Sequence, residues 1–183
     1  LNLWFRLLLT WAFGRFRPRC GPTDACITPF RVLPTDLDAA VHMNNGVYFS
    51  ILDLARVDLT LRSGLQAILR AHRWFPVVVG ETIQFHRELR PFQRFFVETR
   101  LLGWDERTIF IRHRLFRHRP QGELAAEAMI RGVIVRRSGG TVPTAELLDA
   151  LRVPAPQEPI PDWVRAWARA LDANREEYKR RSK

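Results

Sequence analysis

The chain has 183 residues, enough for one domain with short extensions. Hydrophobic residues make up 46% and charged residues 26%, a balance that argues against a disordered chain. The formal net charge is +10 at pH 7 and is almost all arginine, since Lys179 and Lys183 are the only lysines. A positive field of this kind attracts phosphates, anionic lipid or nucleic acid. No recognised nucleic-acid motif accompanies it, so nucleic acid is not an expected partner.

Residues 1–14 form an apolar run interrupted by Arg6 and followed by Arg15, Arg17 and Arg19. The run is shorter than the roughly 20 residues of a spanning helix. It lacks the charged start and small-residue cleavage site of a signal peptide. An amphipathic helix is expected, either packed on its own domain or a dimer mate, or lying on a membrane surface through residues 1–19. Cys20 and Cys26 are too few for a disulfide framework and form no CxxC pair, which assigns them a structural or incidental role. The default location is a reducing cytoplasm, with peripheral membrane contact as the added expectation.

Residues 25–33 predict a strand, and Pro29 inside it predicts an edge position. A polar loop, 34–45, leads into a helix over 45–63, where Tyr48, Ile51, Leu52, Ala55 and Leu59 recur at helical spacing while Ser50, Asp53, Arg56 and Arg62 face elsewhere. Asn44 or Asn45 is the natural N-cap and Gly64 the C-terminal cap. A second short helix follows at 66–72. Strands are expected at 75–89, with Gly80 marking a bulge, and at 95–104, 108–118 and 124–137. The connections 90–94, 105–107 and 119–122 read as hairpin turns. A short helix at 144–151, a stiff linker with four prolines at 153–161 and a terminal helix at 162–181 complete the chain. In that last helix Trp163, Trp167 and Leu171 form a stripe, supported by the pairs Glu176–Arg180 and Glu177–Arg181. The expected division is 1–22, an N-terminal amphipathic segment; 23–152, one folded domain; and 153–183, linker and helix. The class is α+β, one long helix against a curved antiparallel sheet.

The chemistry concentrates between Asp36 and Asp53, where two carboxylates (Asp36, Asp38), an imidazole (His42) and two amides (Asn44, Asn45) lie on a loop feeding a helix N-terminus. First-turn amides are unpaired donors with partial positive charge and can polarise a thioester carbonyl. A nearby carboxylate can attack the carbonyl or take a proton from water, with no metal or cofactor. Each residue also has a plainer role. Asp38 suits an Asx-type turn, Asp36 a turn or strand-end bond, His42 a loop hydrogen bond, Tyr48 the core or the pocket wall, and Asp53 a pair with Arg56. His72, His86, His113 and His118 show no ligand spacing.

This segment resembles the active-site loop of hotdog-fold thioesterases of the 4-hydroxybenzoyl-CoA thioesterase type, in which an aspartate lies ten residues before a helix tyrosine, as Asp38 does before Tyr48. It also resembles the plant acyl-carrier-protein thioesterase pattern Asp-Leu-Asp-x-Asn-x-His-Val-Asn-Asn. Asp38 takes the catalytic aspartate position, His42 the histidine position, and Asn44 and Asn45 the paired asparagines, whereas Ala40 replaces the catalytic asparagine. Residues 31–38, His42–Asn45 with Tyr48, and Thr99–Asp105 are similar to the group containing thioesterase superfamily member six of animals.

The resemblance spans roughly Phe30 to Arg137. It implies a hotdog fold, a homodimer or dimer of dimers, and an acyl-CoA or acyl-carrier-protein thioester as substrate. Asp38 would be base or nucleophile, His42 its helper, and Asn44, Asn45 and Tyr48 the substrate-binding set. A basic surface, including Arg87, Arg90, Arg94, Arg112 and Arg114, suits the phosphates of coenzyme A. The alternative is a non-catalytic acyl-CoA or lipid-binding protein held at a membrane.

Overall fold

The computed structural model describes residues 2–14, 16–153 and 159–182. The elements run α1 (Asn2–Gly14), β1 (Cys26–Arg31), α2 (Asn45–Arg62), α3 (Leu65–His72), β2 (Trp74–Phe85), β3 (Arg94–Trp104), β4 (Ile109–Arg117), β5 (Glu123–Arg136), α4 (Thr144–Leu151) and α5 (Asp162–Arg181). The strands form one antiparallel sheet in the order β1-β3-β4-β5-β2. This is the expected α+β hotdog layout.

Tyr48, Ile51, Leu52, Ala55 and Leu59 are all buried on one side of α2. The first four share a core with Phe95, Val97, Leu115 and Ile130, inward residues of β3, β4 and β5. Each fully buried Leu or Ile contributes on the order of 2 kcal/mol. Asn44 caps α2 by accepting from the Gly46 amide at 2.8 Å. Beyond its C-terminus Gly64 takes φ +79°, the left-handed conformation that glycine adopts without steric cost. Arg56 makes the expected pair with Asp53 but departs from the expectation that it faces away, because its guanidinium also reaches Glu81 on β2 at 3.1 Å.

Pro29 lies on an edge strand as expected, since β1 pairs with β3 alone. The register shift between Val78 and Gly80 is the expected bulge. The connection after β2 corrects the sequence reading. The strand ends at Phe85, and 86–93 is no hairpin, because β2 lies at the opposite edge from β1 and pairs with β5. Short connections favour hairpins only when the flanking strands are neighbours, and strand order is a tertiary property. Here the segment is pinned instead to the loop before α2: the Met43 amide donates to Leu89 O at 2.9 Å and the Val32 amide to Gln93 O at 3.0 Å. Leu89 is fully buried.

α5 covers the other sheet face. Val164 and Ala168 pack on Phe110 and Met129, and Arg131 holds Asp172 at 2.7 Å. Of the expected Trp163–Trp167–Leu171 stripe, Trp167 and Leu171 lie against the sheet, whereas Trp163 is 48% exposed and the smaller Val164 and Ala168 are the buried residues at the closest approach. A Cβ on Gly80 would lie 2.6 Å from Leu171, so the bulge glycine also makes room for the helix. Glu177 pairs with Arg181 as expected, whereas Glu176 pairs with Lys179 rather than with the Arg180 side chain. Of the proline linker, residues 154–158 lie outside the described residues.

α1 packs on its own domain, mainly on α2, so the first of its two expected settings is realised. Arg6, Thr10 and Gly14, one face at i, i+4 and i+8, are its buried residues. Arg6 reaches Asp36 at 2.6 Å and Arg31 O at 3.0 Å. After the helix, Arg17 reaches Asp58 at 3.0 Å. Asp58 is fully buried and also accepts from Thr28 (2.6 Å) and Arg62 (2.9 Å), which ties β1, α2 and the post-α1 segment together. Cys20 and Cys26 face each other with sulfurs 2.7 Å apart, and burial pushes the Cys26 thiol up.

Candidate active site

The loop before α2 folds back as a small hairpin. Leu37 bridges Met43, the Asp38 amide donates to His42 O at 3.0 Å, and the Val41 amide donates to Asp38 O at 3.1 Å. Val41 takes φ +60° at its exposed tip. This turn brings the first and fifth residues of Asp38-Ala-Ala-Val-His42 together, so Asp38 Oδ2 stands 3.4 Å from His42 Nδ1, with both side chains about a third exposed. Asp38 Oδ1 accepts from the Ala40 amide at 2.9 Å, the Asx-type bond foreseen as its plainer role. The two roles coexist because each oxygen serves one. Ala40 sits exposed at the tip.

The base of the hairpin is held by Asp36. Its Oδ2 accepts from the Leu33 amide (2.8 Å) and from Arg6, and its carbonyl accepts from the Asn44 amide (2.8 Å). The turn bond expected of Asp36 is present, and Arg6 is a partner the sequence did not indicate. Asn44 is thereby placed as N-cap. Its side chain takes the Gly46 amide and its carbonyl the Val47 amide. The Asn45 N–H, first of the helix, has no acceptor among the described residues.

Beside the helix start lies a cleft of about 260 Å³. His42, Met43, Asn45 and Tyr48 line one wall, and Phe85, His86, Arg87 and Glu88 the other. The structure thus gathers three of the five sequence-predicted residues, His42, Asn45 and Tyr48, into one cleft. Asp38 reaches it through His42, and Asn44 serves as cap. The second wall was missed because it comes from the end of β2, some 40 positions away, and nothing in the local pattern ties it to the loop. Tyr48 packs edge-on against Phe85, ring centroids 4.9 Å apart. Burial, with a smaller contribution from the Asp38 charge, raises its phenol to about 12 and keeps it a neutral hydrogen-bonding wall. Arg90 beside Glu88 holds that carboxyl below its usual range, and His42 adds to the effect. Three of the arginines considered for phosphates are engaged by carboxylates: Arg87 with Glu123, Arg90 with Glu88, and Arg114 with Glu98.

Farther along α2, His113 is fully buried between Thr99 Oγ1 (2.9 Å) and Arg56 (3.5 Å). Burial, reinforced by the Arg56 charge, lowers it well below the usual histidine range, so it is neutral and structural.

Comparison with known proteins shows the family. The family described as "Thioesterase-like superfamily" matches residues 32–168. Protein THEM6 of Xenopus laevis is 31% identical over 134 residues, 73% of this chain and 64% of that protein. The chain therefore spans just under two thirds of that relative. Protein THEM6 of Danio rerio is 32% identical over 149 residues, 80% of this chain and 72% of that protein. A 4-hydroxybenzoyl-CoA thioesterase variant, crystallised with 4-hydroxybenzoyl-CoA, superposes with TM-score 0.61 at 18% identity, covering 69% of this chain and 98% of that one.

Proposed function

The chain belongs to the thioesterase-like superfamily, and from that premise we propose that it hydrolyses acyl thioesters of coenzyme A. The observation that carries this reading is the Asp38 carboxylate, 3.4 Å from His42 at the open start of α2, next to a cleft walled by Tyr48 and Phe85. The thioester carbonyl oxygen points at the Asn45 N–H, where the partial positive charge of the helix start stabilises the developing oxyanion. Asp38, as general base, takes a proton from water while the water oxygen bonds to the carbonyl carbon. Collapse of the tetrahedral intermediate breaks the C–S bond, and the proton passes to the departing thiolate. Direct attack by Asp38 Oδ2, giving an anhydride that water then opens, uses the same placement. His42 orients the carboxylate, and the acyl group lies along Tyr48.

A homodimer is part of the proposal. β2 is an edge strand that carries exposed Phe75, Val77, Val78, Val79 and Phe85. A long apolar edge of this kind is normally covered. Antiparallel pairing of two β2 strands about a two-fold axis covers it and brings a second subunit to the Phe85 wall of the cleft. The coenzyme A ester bound by the structural relative supports the choice of substrate class.

The test is thiol release from a panel of acyl-CoAs, from short and long chains to aromatic acyl groups. Turnover of at least one member is expected. No release from any of them, with the same acyl groups released from a carrier protein, overturns coenzyme A as the carrier. No release from either overturns hydrolysis and favours acyl binding alone.

A further inference from the structure

Helix α1 leaves most of its large apolar residues facing outward. Of the residues it turns towards the domain, Arg6, Thr10 and Gly14 are buried and Leu7 is half-buried against the core, while Trp4 (76% exposed), Leu8 (60%), Phe5 (58%) and Trp11 (54%) face solvent. The orientation is locked at both ends. Arg6 is bonded to Asp36 and the Arg31 carbonyl at one end. At the other, Gly14 lies so close to Asp58 that a Cβ there would stand 3.1 Å from its Oδ1. The helix cannot roll to bury its aromatic residues without breaking a buried ion pair. A contiguous apolar face of this size marks an interaction surface.

Charge identifies what covers it. The first 23 residues contain four arginines, Arg6, Arg15, Arg17 and Arg19, and no carboxylate. Between α1 and β1 runs a cleft of about 310 Å³ with Leu9, Phe13 and Phe30 among its apolar residues and Arg17 and Arg31 also lining it. Arg19 and Arg31 are exposed, and Arg17 is shared with Asp58. Apolar residues beside cations, with two tryptophans on the outer face, match the boundary between acyl chains and anionic headgroups. At 1.5 Å per residue the 13 residues of the helix span about 20 Å, enough to lay Trp4, Leu8 and Trp11 along one interface. A second copy is a poor occupant, since a two-fold contact would set two arginine-only segments against each other. We infer that α1 is a docking face for an anionic bilayer surface, with Trp4, Phe5, Leu8 and Trp11 in the headgroup region and Arg19 and Arg31 on lipid phosphates. This inference stands whether or not the acyl site hydrolyses its ligand.

The experiment is co-sedimentation of the full chain with vesicles of phosphatidylcholine alone and of phosphatidylcholine containing phosphatidylglycerol. Binding is expected to the second and to be much weaker to the first. Trp4→Ser combined with Trp11→Ser, both at exposed positions, is expected to abolish it with the circular dichroism melt unchanged. Arg19→Gln combined with Arg31→Gln is expected to weaken binding about 30-fold, the effect of two cations at a charged surface. Wild-type protein that stays in the supernatant with both vesicles overturns the inference. So does light scattering in which the tryptophan double variant dissociates a wild-type oligomer that never bound vesicles, since a second copy would then be the occupant.

Discussion

Asp38→Asn separates the two jobs of one side chain. Oδ1 shapes the hairpin by accepting from the Ala40 amide, and asparagine keeps a carbonyl oxygen for that bond. Oδ2 faces His42 at 3.4 Å, and asparagine removes its charge and its ability to take a proton. Both partners of that pair are partly exposed, so its loss costs less than about 1 kcal/mol and moves the melting temperature by at most about 4 °C. Loss of a general base lowers kcat by about 10²–10⁴-fold, roughly 3–5 kcal/mol of barrier. The acyl contact proposed for Tyr48 is untouched, so KM should change little. Initial rates of thiol release, followed with a chromogenic disulfide across substrate concentrations, give both constants, and a thermal melt checks the fold. A folded variant whose kcat stays within about twofold of the native value refutes the role assigned to Asp38.

Asp58→Ala leaves Arg17 and Arg62 beside an empty buried site and should cost about 3–5 kcal/mol, a fall of about 6–20 °C in melting temperature by calorimetry; a shift under about 2 °C would show that the cluster is dispensable. His113 titrates below its unfolded value because it is buried beside Arg56. The unfolded chain therefore binds the extra proton first, so this stability is complete above about pH 6.5 and declines as pH falls, with a limiting slope of about 1.4 kcal/mol per pH unit. Urea unfolding across that window should show a shallower pH dependence in His113→Gln, and equal slopes would contradict the assignment. Tyr48→Phe removes a phenol whose pKa is raised to about 12, so its neutral form favours the fold below pH 10 and that contribution fades as pH rises towards 12. The variant should lose about 1 kcal/mol and keep the alkaline limb of the rate profile, which a tyrosinate-dependent mechanism would not.

The long helix, the proline-marked edge and the bulge at Gly80 were legible because each follows from local rules of periodicity, φ restriction or register. Asp38, His42 and Tyr48 were legible because a single hairpin and helix start carry them. Phe85, His86 and Glu88 were not, because they reach the cleft only once β2 is placed at the far edge, and strand order depends on which long-range pairings win. The same limit produced the mistaken hairpin at 90–94. It also hid the partnership of Arg6 with Asp36, which lie 30 residues apart. On α5 only Trp163 departs from the expected stripe: Trp167 and Leu171 lie against the sheet, and the small Val164 and Ala168 fill the closest approach beside them.

The placement of α5 bears on how copies of the chain can gather. It lies over Phe110 and Met129 and reaches Gly80, occupying the outer surface of the sheet. Two subunits joined along β2 would present that surface as a layer of helices with arginine and glutamate outward, rather than as bare strands. Back-to-back stacking of sheets, one route from a pair to a four-chain assembly, would then have to proceed helix against helix. A chain shortened before Asp162 would uncover Phe110 and Met129, and light scattering of it should then show larger species than the full chain does.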